Sequence, residues 1–129
     1  MWVIRKPSDE TVNNSAVLQN DNHLLFGVGA NEVYQVALHL LYNSGTTPDL
    51  KFIFTVPSGA VFYGLVMYVD AAGNSRVFKF DASGAQDLNG TGAVHWAWIV
   101  GTLINGATPG TLQFQWAQNT QDASDSKVL

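Results

Sequence analysis

Cysteine is absent from the 129 residues, which excludes disulfides, thiolate metal sites and cysteine nucleophiles and leaves stability to packing or assembly. Charge is scarce as well. Only 12% of residues are Asp, Glu, Lys or Arg, against ~25% in an average soluble protein. Cations are scarcest, with 6 Lys+Arg against 10 Asp+Glu and a formal net charge of -4. That balance offers no cationic field to a phosphate backbone or an anionic lipid, so neither nucleic acid nor membrane is an expected partner. The most apolar stretches, 60–69 and 93–104, fall short of the ~20 residues of a membrane helix, and their aromatic and β-branched content favours strands. No amphipathic helix pattern competes with them. The opening Met1-Trp2-Val3-Ile4-Arg5-Lys6-Pro7 matches neither a signal peptide nor a transit peptide, so no secretion is expected.

What is present is apolar alternation: 47% of the chain is hydrophobic and 12% aromatic, too much for a disordered segment. In Tyr34-Val36-Leu38-Leu40-Tyr42 every second residue is large and apolar, as in Leu50-Phe52-Phe54-Val56 and Leu112-Phe114-Trp116. Six more strands are expected at 3–6, 11–19, 23–28, 61–69, 76–80 and 94–104. Turn residues separate them: Asn20-Asp21-Asn22, Gly29-Ala30-Asn31, Asn43-Ser44-Gly45, Pro57-Ser58-Gly59, Ala71-Ala72-Gly73-Asn74, Asn89-Gly90 and Asn105-Gly106. Short strands at regular spacing predict an all-β fold, an antiparallel β-sandwich of jelly-roll type with about eight to ten strands in a single domain over 1–129. The small, polar stretch 82–92 is expected to be a mobile loop. The polar segment 118–129 is expected to fray or to dock on a neighbour.

Two strands are apolar on both faces of the pleat, Val61 to Val69 and Val94 to Val100. One face enters a core, and the other needs a cover, because an antiparallel sheet ordinarily leaves one face to water. Subunit association supplies one. Tyr63, Tyr68, Trp96 and Trp98 are therefore the candidate contact residues, aromatics with a polar tip being favoured in interface cores. The glutamine face of the last long strand, Gln113 and Gln115, is read as outward or at a contact.

Searches for chemistry return little. His23, His39 and His95 stand alone in their strands without a ligand partner at metal-site spacing, so no metal site is expected. Asp9-Glu10 reads as a solvated turn rather than an acid/base pair. Asp70, Asp81 and Asp87 sit at strand ends without the oxygen density that calcium needs. Serine-nucleophile, dinucleotide and phosphate-loop patterns are missing. No catalytic residue, cofactor or enzymatic activity is expected.

Three stretches carry a resemblance: Glu10-Thr11-Val12-Asn13-Asn14-Ser15-Ala16-Val17-Leu18-Gln19-Asn20-Asp21, Tyr34 to Tyr42, and Lys51-Phe52-Ile53-Phe54-Thr55-Val56-Pro57-Ser58-Gly59-Ala60. With the closing Ile104-Asn105-Gly106-Ala107-Thr108-Pro109-Gly110-Thr111-Leu112-Gln113-Phe114-Gln115-Trp116-Ala117-Gln118-Asn119, the chain resembles small virion proteins of tailed bacteriophages. It is more loosely similar to jelly rolls of the tumour-necrosis-factor and complement-globular-head type, usually trimers. The resemblance implies a non-enzymatic particle component: a capsid decoration protein, a head or tail fibre, or a receptor-binding tip. It further implies synthesis in the host cytoplasm, a place on the virion surface, and partners among its own copies (a homotrimer) and a major capsid or fibre protein. The similar proteins continue past their Asp-Ala-Ser-Asp segment into a final apolar strand, whereas Lys127-Val128-Leu129 closes this chain. The last strand is thus expected to be shortened, absent or supplied by another subunit. Two rival functions follow: a module binding host-surface glycan through Trp2, Trp96, Trp98 or Trp116, and a cupin-like jelly-roll metalloenzyme, which needs clustered histidines.

Overall fold

Alternation of large apolar and polar residues builds ten strands and no helix in the computed structural model, which describes residues 1–129. The strands are β1 (Glu10–Asn13), β2 (Gln19–Val28), β3 (Val33–Asn43), β4 (Leu50–Thr55), β5 (Val61–Val69), β6 (Ser75–Asp81), β7 (Gln86–Leu88), β8 (Val94–Ile104), β9 (Gly110–Gln118) and β10 (Asp125–Val128). They form two antiparallel sheets, ordered β1-β10-β3-β8-β5-β6 and β2-β9-β4-β7. With the β5–β6 hairpin set aside, the pairs are nested: β1 with β10, β2 with β9, β3 with β8 and β4 with β7. Nested pairing of eight strands wrapped into two facing sheets is a jelly roll, and β5–β6 widens one sheet by adding to the β8 edge.

The core lies between the sheets. Leu50, Phe52 and Phe54 of β4 and Leu112, Phe114 and Trp116 of β9 point inward and are buried, as the period-two pattern requires. They meet Phe62 and Phe80 from the added hairpin, with centroids 5.1 Å apart for Phe54–Phe62 and for Phe62–Phe80, edge to face. Gly64 and Gly101 pair across β5 and β8 where these rings cross. A Cβ on Gly64 would lie 2.1 Å from the Val100 carbonyl oxygen and 2.5 Å from Phe80, so only glycine fits. Burial pushes the Tyr42 and Tyr68 phenols up, and both donate to Asn89, to its carbonyl at 2.8 Å and its side-chain oxygen at 2.9 Å.

Several boundaries differ from expectation. Val3–Lys6 is not a strand, and 11–19 divides into β1 and the start of β2. Asn20-Asp21-Asn22 lies within β2 as an irregularity of register, held by Asp21, whose Oδ1 accepts the His23 and Leu24 amides at 2.9 Å each. The stretch 82–92 contains β7, pinned because Leu88 is fully buried in the core. The C-terminal segment does not fray: β10 lies between β1 and β3, with Ser126 and Val128 buried. Gln118, fully buried, binds that segment by accepting from Asp122 N at 3.0 Å and donating to Ser124 O at 2.7 Å. A strand thus follows the Asp-Ala-Ser-Asp segment within this chain, β10 over Asp125–Val128. The positive-φ turns at Asn31, Gly59 and Gly73 fall where glycine and asparagine predicted them.

Candidate functional site

The two doubly apolar strands, β5 and β8, are neighbours in the six-stranded sheet, so their second faces merge. Register aligns the outward side chains in rows across β3, β8, β5 and β6. One row runs Val33, Ile104, Val61; the next Gln35, Thr102, Tyr63, Asp81; then Ala37, Val100, Leu65, Lys79; then His39, Trp98, Met67, Val77. Leu41 opposite Trp96 completes the field, with Val94 beyond. Tyr63 is 58% exposed, Val77 62%, Trp96 42% and Trp98 39%. Ten of the sixteen exposed large hydrophobics of the chain lie here, namely Val33, Leu41, Val61, Tyr63, Leu65, Val77, Val94, Trp96, Trp98 and Ile104. Four strands at ~4.8 Å spacing and nine residues at ~3.3 Å cover roughly 19 by 30 Å, on the order of 600 Å². That is the top of the range a monomer ordinarily leaves open. His39 sits between the two indoles, its ring centroid 6.3 Å from Trp96 and 5.4 Å from Trp98.

The six candidate contact residues thus separate into three groups. Tyr63, Trp96 and Trp98 share the outer face just described. Tyr68 does not: inward phase on β5 places it in the core, 7% exposed, its hydroxyl held by Asn89. Both faces of β5 are apolar, so the sequence carried no signal to decide which one each tyrosine takes. Gln113 and Gln115 lie on the outside of the other sheet, with their amides donating to the Asp21 carbonyl at 2.8 Å and to Asn20 Oδ1 at 2.7 Å. They tie β9 to β2. Trp116, a rival sugar platform, is fully buried and cannot present a face to a ligand.

Sequence reasoning missed one cluster. Because β2 begins at Gln19, Asp21 and His23 are two residues apart on one strand, and Glu10 of β1 joins them. Their ligand atoms lie within 4.8 Å of one another, a spacing a metal ion could use. The Lys6 ammonium occupies the middle, 2.8 Å from Glu10 Oε1 and 2.7 Å from the fully buried Asp21 Oδ2. Lys6 is itself almost fully buried, so the cluster is an ion-paired bolt fastening the N-terminal arm to β1 and β2. His95, the other inward histidine, donates from Nε2 to the Val69 carbonyl and stacks edge-on against Tyr42 at 5.9 Å.

Comparison with protein-family models, with curated proteins and with solved structures finds no match for the chain.

Proposed function

We propose that the chain is a non-enzymatic structural protein of a phage virion, a capsid decoration or fibre component that associates with copies of itself through the outer face of its six-stranded sheet. The observation that carries the association is the gathering of ten exposed large apolar side chains on that face, with Trp96 and Trp98 the largest. A homotrimer on the virion surface, seated on a major capsid or fibre protein, is the arrangement that the resemblance to tailed-phage virion proteins favours. Light scattering across a dilution series tests the association: assemblies that persist at micromolar concentration are expected, and a well-folded monomer there overturns it. Fitting the chain into density from imaged particles tests the location.

A second reading has its own observation. His39, Trp96 and Trp98 form an exposed aromatic platform, with Gln35 and Thr102 hydrogen-bonded to each other at 3.1 Å two rows away. Aromatic faces beside amides are the ordinary means of binding sugars. Glycan-array binding that is lost on Trp98→Ser while assembly is retained would favour this receptor-binding reading.

A further inference from the structure

A second unsatisfied surface borders the broad face, along one edge of β3. Strand β10 reaches β3 only at Tyr42 and Asn43, and the Leu129 amide adds one bond to the Leu41 carbonyl at 3.0 Å. From Val33 to Leu40, β3 has β8 on one side and no strand on the other. Three of the other outer strands are short or guarded, and the fourth, the ten-residue β2 at the edge of the other sheet, is broken by its register irregularity. β1 has four residues, β7 has three, and β6 carries Arg76 and Lys79. The open length of β3, Val-Tyr-Gln-Val-Ala-Leu-His-Leu, has no Asp, Glu, Lys or Arg.

An apolar groove of about 330 Å³ runs along this edge, with 14 of its 15 lining residues hydrophobic. Every residue from Val33 to Leu38 contributes to it. Neighbours on a strand point to opposite faces, so six consecutive lining residues of β3 and three of β2, Leu24 to Phe26, mean that the groove opens between the two main-chain edges. Its floor reaches Phe54 and Phe114 of the core. An occupant can therefore bond to free backbone groups and place alternate side chains into the hollow, the geometry of an added strand.

The N-terminal arm has the complementary need. Met1, Trp2, Val3 and Ile4 are 113%, 93%, 77% and 43% exposed. Residues 1–9 make no backbone–backbone hydrogen bond. The chain's own arm lines one wall of the groove with Met1, Trp2 and Ile4, its base bolted by Lys6 to Glu10 and Asp21, and leaves Trp2 93% exposed there. One surface thus carries both an apolar knob and an apolar hollow, which is the self-complementary pattern of a contact between identical subunits. We propose that the open edge of β3 takes the Met1–Ile4 arm of a second copy as an added strand, with Trp2 seated in the hollow. A buried Trp covers ~150–250 Å². Two exchanged Trp2 side chains with the groove surface they cover come to roughly 600–1,000 Å², and Met1, Val3 and Ile4 of each arm carry the contact towards the ~1,200 Å² at which specific interfaces begin. The contact borders the broad sheet face at Val33, Gln35 and Ala37 but uses neither Trp96 nor Trp98, so the two can be tested separately.

The absence of native cysteine makes the test direct. A Val3→Cys chain is mixed with a mass-labelled Ala37→Cys or Gln35→Cys chain under mild oxidation, in the wild-type background and in Trp98→Ser. The expected result is a mixed disulfide dimer in both backgrounds, reduced at least tenfold by adding Trp2→Ala to the Val3→Cys chain. Hydrogen exchange is expected to show amides of β3 protected in the assembly and exposed when residues 1–4 are deleted. If the mixed chains fail to link while the two cysteines placed in one chain link at high dilution, the arm fills its own groove and the proposal is overturned. Failure of both to link overturns it as well, leaving the edge without this strand. Linkage that disappears with Trp98→Ser overturns its independence from Trp98.

Discussion

Replacing Trp96 and Trp98 by serine removes the largest side chains of the broad face without touching the core, because both project outward from β8 while Ala97 and Ile99 between and beside them are buried. With 42% and 39% of each residue open and about 250 Å² in a whole Trp, each indole offers about 100 Å² to a partner. At ~25 cal/mol/Å² that is about 2.5 kcal/mol, reduced to about 2 by what serine still buries. The double variant should therefore weaken each subunit contact by about 4 kcal/mol, on the order of 10³-fold in the association constant. Sedimentation velocity over a dilution series reads this as a shift of the assembly midpoint to higher concentration. Thermal unfolding of the dissociated subunit should change by less than about 0.5 kcal/mol, as for other surface positions. By contrast Trp116→Ala, on an inward position of β9, should cost about 3–5 kcal/mol of folding. Wild-type assembly by the double variant at every concentration would refute the reasoning. So would loss of cooperative unfolding, which would place the two indoles in the folding core.

Gly64→Ala should cost at least about 3 kcal/mol in chemical denaturation, because its Cβ would meet backbone 2.1 Å away; Gly101→Ala, 2.5 Å from the Tyr63 carbonyl oxygen, should behave alike. The Asn74 amide, with Arg76 beside it, holds the Asp70 carboxyl down from 3.8 to about 2, so its stabilisation of the β5–β6 turn is complete above about pH 4 and fades as pH falls towards 2. Carboxyl NMR titration should find that low midpoint, and Asp70→Asn should flatten the acid limb of stability. The Trp116 indole N–H is buried without a partner, so Trp116→Phe removes an unsatisfied donor and should cost no more than about 2 kcal/mol, well below Trp116→Ala. Lys6→Met leaves the fully buried Asp21 without its cation and should cost about 3 kcal/mol, read by denaturant midpoint, with the arm more open to protease.

Long strands with one dry face were legible. β3, β4 and β9 show inward residues at every second position, and the glycine and asparagine turns between them fixed most connections. Strands that draw their partners from far away were not. β7 is three residues, Gln86 to Leu88, made a strand by pairing with Leu50 to Phe52 about forty residues earlier. β10 has a polar sequence, Asp-Ser-Lys-Val, and exists because β1 and β3 flank it. The contact field was half legible for a related reason. The sequence showed that β5 and β8 had an extra apolar face, yet only the register decided that Tyr63 joins Trp98's side and Tyr68 the core. The Lys6 bolt escaped because its acids come from two strands, with Asp21 hidden in what reads as a turn.

The two sheets meet the same requirement inward and differ outward, and that difference is what folding alone does not account for. On the outside of the four-stranded sheet the rows are Asn20, Gln115, Ile53 and Leu25, Gln113, Thr55, with Lys51 facing Asp87. Apart from Ile53 and Leu25 these are polar groups that hydrogen-bond along the surface or remain in water. On the outside of the six-stranded sheet most positions across β3, β8, β5 and β6 are Val, Ile, Leu, Met, Tyr and Trp, and charge lies at the rims, at Lys79 and Asp81 on β6 and Asp125 and Lys127 on β10. A jelly roll closes through its inward residues, so its outer positions are free to be polar, as the first sheet demonstrates. Keeping them apolar raises the hazard of non-specific association for any subunit left alone. The proposed self-association would cover that face, where ten of the sixteen large exposed side chains of a chain with few charges are gathered.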